Sequence, residues 1–342
     1  MNTKYPVNAT LRSTADTVVW GHIAADVPPA LRIKSGQTVS IDTVSHQGLL
    51  KGDPVAYFSE AGVRAGQVLE DATDIFRRAR RGEGAGVHVL TGPVHVEGAR
   101  AGDMLEVRIL DIAFRVPYGV NSSGRGSGVL PELLEIAAPK TIRLDLERGV
   151  ALFSDDIEIP LSPFMGIMAV APPPDIGRAS TKPPGVWGGN MDLKQLTTGA
   201  TLYLPVFNDG ALFYTGDGHA MQGDGEVNGT AIEISLTPTL QFIVHKGAGA
   251  RMTWPRAEDA THYYLMGMDA DLDTALKHAV QETVDFLQDR AGLSAADAYA
   301  LASLSVDFRV GEAVNNIKMV YGMIPKNLFR KKMEYWHDGQ IG

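Results

Sequence analysis

The sequence predicts a mostly β protein, α+β overall, in which a β-sandwich or barrel-like scaffold carries a C-terminal helical pair. Two observations carry that expectation. Alternating apolar and polar residues, punctuated by glycine turns, fill the first 115 positions. Helical periodicity appears clearly only beyond position 270. The expected organisation is a β-rich scaffold over residues 1–267, with a helical segment over 268–342 packed on the same unit.

In chain order, Leu31–Val44 alternates around a Ser35-Gly36 turn, the pattern of a half-buried hairpin. Val94–Ile112 repeats that plan, with Gly98 and Gly102 at its turn, so the two blocks read as cognate strands of one scaffold. Between them, Asp71–Arg81 is charged and fits a short helix or a lid. Tyr118–Gly128 is too rich in Gly and Ser for regular structure, and Ala171–Asp175 and Pro183-Pro184 mark another irregular connection. Near the C-terminus, Leu272, Leu276, Ala279, Val280, Val284 and Leu287 form one helical stripe. Gly292 stops that helix, and Ser294 with Asp297 makes a capping box for the next. The basic run Arg330–Lys332 near Trp336 reads as a solvated tail.

Composition narrows function by exclusion. The formal net charge of -9 argues against nucleic acid or an anionic membrane as partner. Absence of cysteine removes disulfides and every thiol nucleophile. Residues 1–10 lack the apolar core of a secretory signal, and no apolar run approaches the length of a membrane span, so a cytoplasmic protein is expected.

The segment Pro183–His245 concentrates the chemistry. It holds six carboxylates (Asp192, Asp209, Asp217, Asp224, Glu226, Glu233) against one base, Lys194. Acids brought close need protonation or a counter-charge, which a bound cation supplies. Asn190 and Asp192, Asp217 and His219, and Asp224 and Glu226 are i, i+2 pairs, so each offers two ligands to one side of an extended chain. Oxygen donors with an imidazole suit a divalent ion such as Ca, Mg, Mn or Zn. Asn190, Asp192, Asp217 and His219 are the expected metal ligands, and Gly189 lets the backbone approach a small ligand. His46 ends a strand before a turn and His88 begins another, both good places to face a substrate. Trp187, with Phe213 and Tyr214, offers walls for a compact cavity. His95, His245 and His262 read as structural; His278 and His337 read as surface residues.

The same residues resemble the acetamidase/formamidase family. Gly188–Lys194, Leu202–Val206, Gly210–Phe213, Gly216–Glu226 and Gly229–Glu233 match its central signature nearly residue for residue. Thr91–Ala99 with Gly102–Val107 resembles a second signature, and Asp271–Asn315 its helical end. Trp187 departs from the pattern, standing where many relatives have histidine. The resemblance implies a homodimer or higher homo-oligomer and metal-dependent hydrolysis of a small aliphatic amide, formamide- or acetamide-like, to carboxylate and ammonia; Zn or Ca is the expected ion. Such a reaction needs a polarised carbonyl, an activated water and a protonated leaving nitrogen. Glu226 or Asp224, with Asp192, is the expected acid/base. Two other readings fit the same residues: a hydrolase of another small C–N substrate, urea-like or cyclic, and a non-catalytic calcium-binding β-module.

Overall fold

The computed structural model describes residues 5–330; Lys331, Lys332, Trp336 and His337 lie outside the described residues. Two large sheets share one apolar core, in which Leu11, Ile41 and Val107 of one meet Leu90, Val94 and Ile167 of the other. Among the described residues one sheet has nine strands and the other twelve. Strand dominates helix, as the alternating pattern requires.

Both blocks read as hairpins turn out to be corners between the sheets. Leu31–Lys34 pairs in parallel with the end of Val89–Glu97, Leu31 opposite Val94, in the twelve-stranded sheet. Thr38–Ile41, just past the turn, lies in the other sheet between Ala9–Leu11 and Leu236–His245. Val89–Glu97 and Met104–Phe114 divide in the same way. Alternation is identical in a hairpin and in such an arch; what differs is the partner, which local sequence does not encode. The cognate relation holds in space, because the first strands of the two blocks pair and the second strands flank Leu236–His245.

Tyr118–Asn121, expected to be irregular, is a strand paired with Lys140–Asp145; the loop proper begins after it. The charged stretch near residue 71 is the helix Glu70–Arg78, with Glu70 and Asp71 in its first turn and Arg77 and Arg78 in its last, complementing the helix dipole. Its Ala72 and Ile75 cover Trp20, Val44 and Leu49.

The helix Leu272–Ala291 starts at Asp271, whose side chain accepts from Thr274 N, and ends at Gly292 in the left-handed region. Ser294 caps Ala295–Ser305 by accepting from Asp297 N. Of the expected stripe, Ala279, Val284 and Leu287 are buried, but Leu272 and Leu276 are exposed, and Ala275, Thr283 and Phe286 join the buried face. The cause is close approach. A Cβ at Gly267 would lie 2.1 Å from Ala279 N and 2.5 Å from Ala275 O, so small residues must face the sheet. After the helices the chain returns as strands Asp307–Glu312 and Lys318–Pro325 beside His262–Asp269, so the segment from 268 onward is not helical throughout. No described helix is long and apolar enough to cross a membrane.

Candidate active site

The strand Phe213–His219 runs through the twelve-stranded sheet between Phe164–Ala169 and Val89–Glu97 and is buried along its whole length. It delivers Asp217 and His219 to one side, as their i, i+2 spacing predicts. Asp217 is the hub. Its Oδ1 lies 3.7 Å from His46 Nδ1, and its Oδ2 lies 3.6 Å from His88 Nε2 and 3.4 Å from His219 Nε2. His219 in turn stands 3.4 Å from Glu233 Oε1 and 4.0 Å from Asp192 Oδ1. Glu226 joins the set, with donor atoms of His219, Glu226 and Glu233 within 4.8 Å of one another.

Backbone strain aims these acids. Asp192, Asp217 and Glu226 have φ of 47°, 56° and 44°, in the left-handed region that side chains rarely adopt. Such conformations cost about 1–3 kcal/mol each and gather at functional sites. The turn at Gly225 and Glu226 also splits the pair at 224 and 226. Glu226 faces the cluster, whereas Asp224 turns to Lys194, 3.0 Å away, and accepts from the Tyr321 hydroxyl at 2.9 Å. Asp224 therefore stands apart from the converging donors.

The donors meet without satisfying one another. His88 Nδ1 donates to Thr181 O at 3.1 Å, which leaves a lone pair on the Nε2 that faces the Asp217 carboxylate. Two acceptors facing each other need a cation or a proton between them. Among buried side-chain atoms, His46 Nδ1, Asn190 Oδ1, Asp192 Oδ1, Asp217 Oδ1, Glu233 Oε2 and both His219 nitrogens lack hydrogen-bond partners. Ligand atoms held at about 2.1 Å around a tetrahedral zinc stand roughly 3.4 Å apart, close to the separations seen here. Three overlapping sets fit a divalent ion: His46, His88 and Asp217; Asp192, Asp217 and His219; and His219, Glu226 and Glu233.

Electrostatics repeat the message. Burial pushes Asp192 and Glu226 far above the usual carboxylate range, with neighbouring acids adding to it, and carries Glu233 to about 7 despite His219. Burial works against the charge on Asp217, but His88, His219 and His46 overcome it and hold that carboxyl low. Burial drives His46 down to about 3 and lowers His88, while Glu233 and Asp217 outweigh burial at His219 and raise it. A divalent cation would relieve the crowding that keeps these acids protonated.

The cluster opens into a cavity of about 320 Å³. Asn190, Asp192, Asp217, Glu226, His46 and His88 all reach it. Trp187, Gly189, Phe213 and Tyr214 do not line it. The Trp187 indole lies across Gly185, where a Cβ would meet the ring at 2.5 Å, and Gly189 sits against the same ring. Phe213 packs edge-on to Phe242, and the Tyr214 hydroxyl donates to Ala24 O. These aromatics are core, the Trp187 ring because Gly185 and Gly189 make room for it, and they leave the cavity walls to other residues.

Several contributors escaped the motif reading. Glu233 counted only among the acids of its segment. Asn315, whose amide reaches towards Asp192 Oδ2 at 3.5 Å, is presented by a loop that Glu312 pins by accepting from the backbone N–H of Val314 and Asn315. Of these only Glu233, inside the acid-rich stretch, left a sequence signal. The histidines read as structural behave so: His245 pairs with Glu106, His95 packs against Gly210, and His262 hydrogen-bonds Thr261. His278, read as a surface residue, is half-buried and bonds Met268 O.

One glycine holds the geometry open. Gly166 lies opposite Asp217, and a Cβ there would stand 2.5 Å from Asp192 Oδ1, 2.8 Å from Asp217 Oδ2 and 2.8 Å from His219 Cε1. Gly166→Ala is expected to lower kcat/KM about 100-fold by displacing both carboxylates. Activity measured beside a metal titration checks this, and wild-type values for both would show that the carboxylates part freely.

A model described as the Acetamidase/Formamidase family matches residues 64–182 and 177–331. The chain is 25% identical to an acetamidase of Mycolicibacterium smegmatis over 278 residues, 64% of each protein. It is 30% identical to a formamidase of Methylophilus methylotrophus over 198 residues, 41% of this chain and 47% of that one. The matched stretches thus span less than two thirds of those relatives' lengths. In three dimensions it is similar to an acetamidase from Bacillus halodurans, with a TM-score of 0.77 and 30% identity, covering 94% of this chain and 98% of the other.

Proposed function

Because this chain belongs to the acetamidase/formamidase family, we propose that it hydrolyses a small linear amide to a carboxylate and ammonia with a divalent ion at the Asp217 cluster. The observation that carries this reading is the convergence of buried imidazole and carboxylate atoms, 3.4–4.0 Å apart, on one open cavity, with His46 Nδ1, Asp192 Oδ1, Asp217 Oδ1 and both His219 nitrogens lacking hydrogen-bond partners. His46, His88, Asp192, Asp217, His219 and Glu233 are the residues that would hold metal, with Asn190 assisting. Zinc suits the imidazole-rich set and calcium the carboxylate-rich one. A divalent ion there supplies Lewis-acid polarisation of the carbonyl and lowers the pKa of water.

The chain's own groups do the rest. Glu226, held at the cavity wall by its turn, takes a proton from the attacking water and returns it to the departing nitrogen. Thr181 fixes the His88 tautomer, and the Gln47 amide, 3.2 Å from His46 Nε2, orients the second imidazole. Asn315 and Asn190 offer amide groups to the substrate. The exposed apolar run of Leu130, Leu133 and Ile136 beside the cavity loop supports self-association.

The test is ammonia release from formamide, acetamide, propionamide and butyramide, with metal content determined on the same sample. Turnover of at least one linear amide by metal-loaded protein is expected. Metal-loaded protein that releases no ammonia from any amide, the carboxylate-bearing one below included, would sink the reading.

A further inference from the structure

We propose that the amide this site takes carries an anionic group, in the simplest case a carboxylate, and that Lys182 is the residue that selects it; this rests on the amide-hydrolase reading and narrows its substrate class. The cavity is larger and more polar than a short aliphatic amide needs. Its volume of about 320 Å³ would hold on the order of ten waters at 30 Å³ each, and formamide or acetamide has only a few heavy atoms. Besides the carboxylates and imidazoles the wall offers Lys182, Ser127, Thr230, Asn315 and Asn316, with Val87 and Val314 the apolar side chains. An alkyl chain pressed against such a wall strips water from polar groups without replacing its hydrogen bonds. A carboxylate replaces them.

Lys182 is placed for that task by residues of the site itself. On one side, Thr181 is tied to His88 through both its carbonyl and its hydroxyl, at 3.1 Å each. At Lys182 itself, the backbone carbonyl accepts from Asn190 Nδ2 at 3.0 Å. The side chain is exposed at the cavity and, among the described residues, forms no ion pair. Lys194, the only base within the acid-rich segment, is by contrast committed to Asp224 at 3.0 Å. The cavity wall therefore carries both the carboxylate cluster and, at Lys182, an ammonium with no ion-pair partner among the described residues. An amide that also bears a negative group can meet both: its carbonyl the cluster with its ion, and its carboxylate Lys182.

Succinamate and butyramide test this, since they share a scissile amide and chain length and differ by carboxylate against methyl. For wild-type protein kcat/KM should favour succinamate at least tenfold. Lys182→Ala should bring the ratio to about one, and Lys182→Arg should retain most of the preference. Calorimetric titration of both amides into wild-type and Lys182→Ala protein reads binding without turnover. Wild-type preference for butyramide, or an equal loss on both amides in Lys182→Ala, would overturn the proposal while leaving amide hydrolysis intact. Binding of succinamate that depends on Lys182, with no turnover of any amide, would uphold the anion site and remove the hydrolase reading instead.

Discussion

Asp217→Asn is expected to lower kcat/KM for every amide by about 10⁴-fold or more, the scale of losing a residue on which a catalytic unit depends. Asparagine keeps the shape of the side chain and removes its charge. Among the described residues Asp217 alone pairs with all three imidazoles, through Oδ1 to His46 and Oδ2 to His88 and His219. It belongs to two of the three donor sets. The neutral amide therefore weakens two sets together, and its NH₂ would point a donor at the proposed ion. Elemental analysis should show metal lost alongside activity, and the melting temperature should show that the β core persists. A variant retaining more than about one hundredth of wild-type activity would remove Asp217 from the centre of the mechanism.

Glu226→Gln is expected to lower kcat about 1,000-fold with metal content unchanged, the middle of the range for a general acid/base. The left-handed turn at φ 44° places this carboxyl on the cavity wall, and glutamine follows the same backbone with nearly the same volume. What disappears is the ability to accept and return a proton. KM should change little, because the shape and depth of the cavity remain. Metal lost in parallel with activity would show that Glu226 is a ligand and that another group carries the proton.

The parts of this molecule legible in its sequence are those fixed by neighbours along the chain. Asp271, Gly292 and Ser294 mark helix ends because each cap is satisfied within three or four residues. Asp217 and His219 announce themselves as a pair because a strand repeats every two residues, and the shortage of bases around them points to a cation. Other features depend on conformations or partners that composition does not reveal. Asp224 and Glu226 part because residues 225 and 226 both take positive φ. His46 and His88 read as substrate contacts, yet they stand with Asp217 as a donor set because the segments after Thr38–Ile41 and before Val89–Glu97 bring them together. Trp187 looks like a pocket wall until Gly185 and Gly189 are seen to receive it. Lys182 and Asn315 sit outside the acid-rich block and gain their place only from the folded chain.

The strand Leu236–His245 bonds to Thr38–Ile41 on one edge and to Met104–Phe114 on the other. During synthesis both of those earlier strands leave the ribosome long before the partner that joins them, so each presents an open edge to the crowded cell until on the order of one to two hundred further residues are made. The donors follow the same timetable, since His46 and His88 emerge with no Asp217 to face. Uptake of the proposed ion would thus be a late step in the life of the chain, and a ribosome that stalls before residue 236 releases a product without a closed sheet. Expression at lower temperature with the ion supplied throughout should therefore raise the yield of loaded protein more than adding the ion after purification.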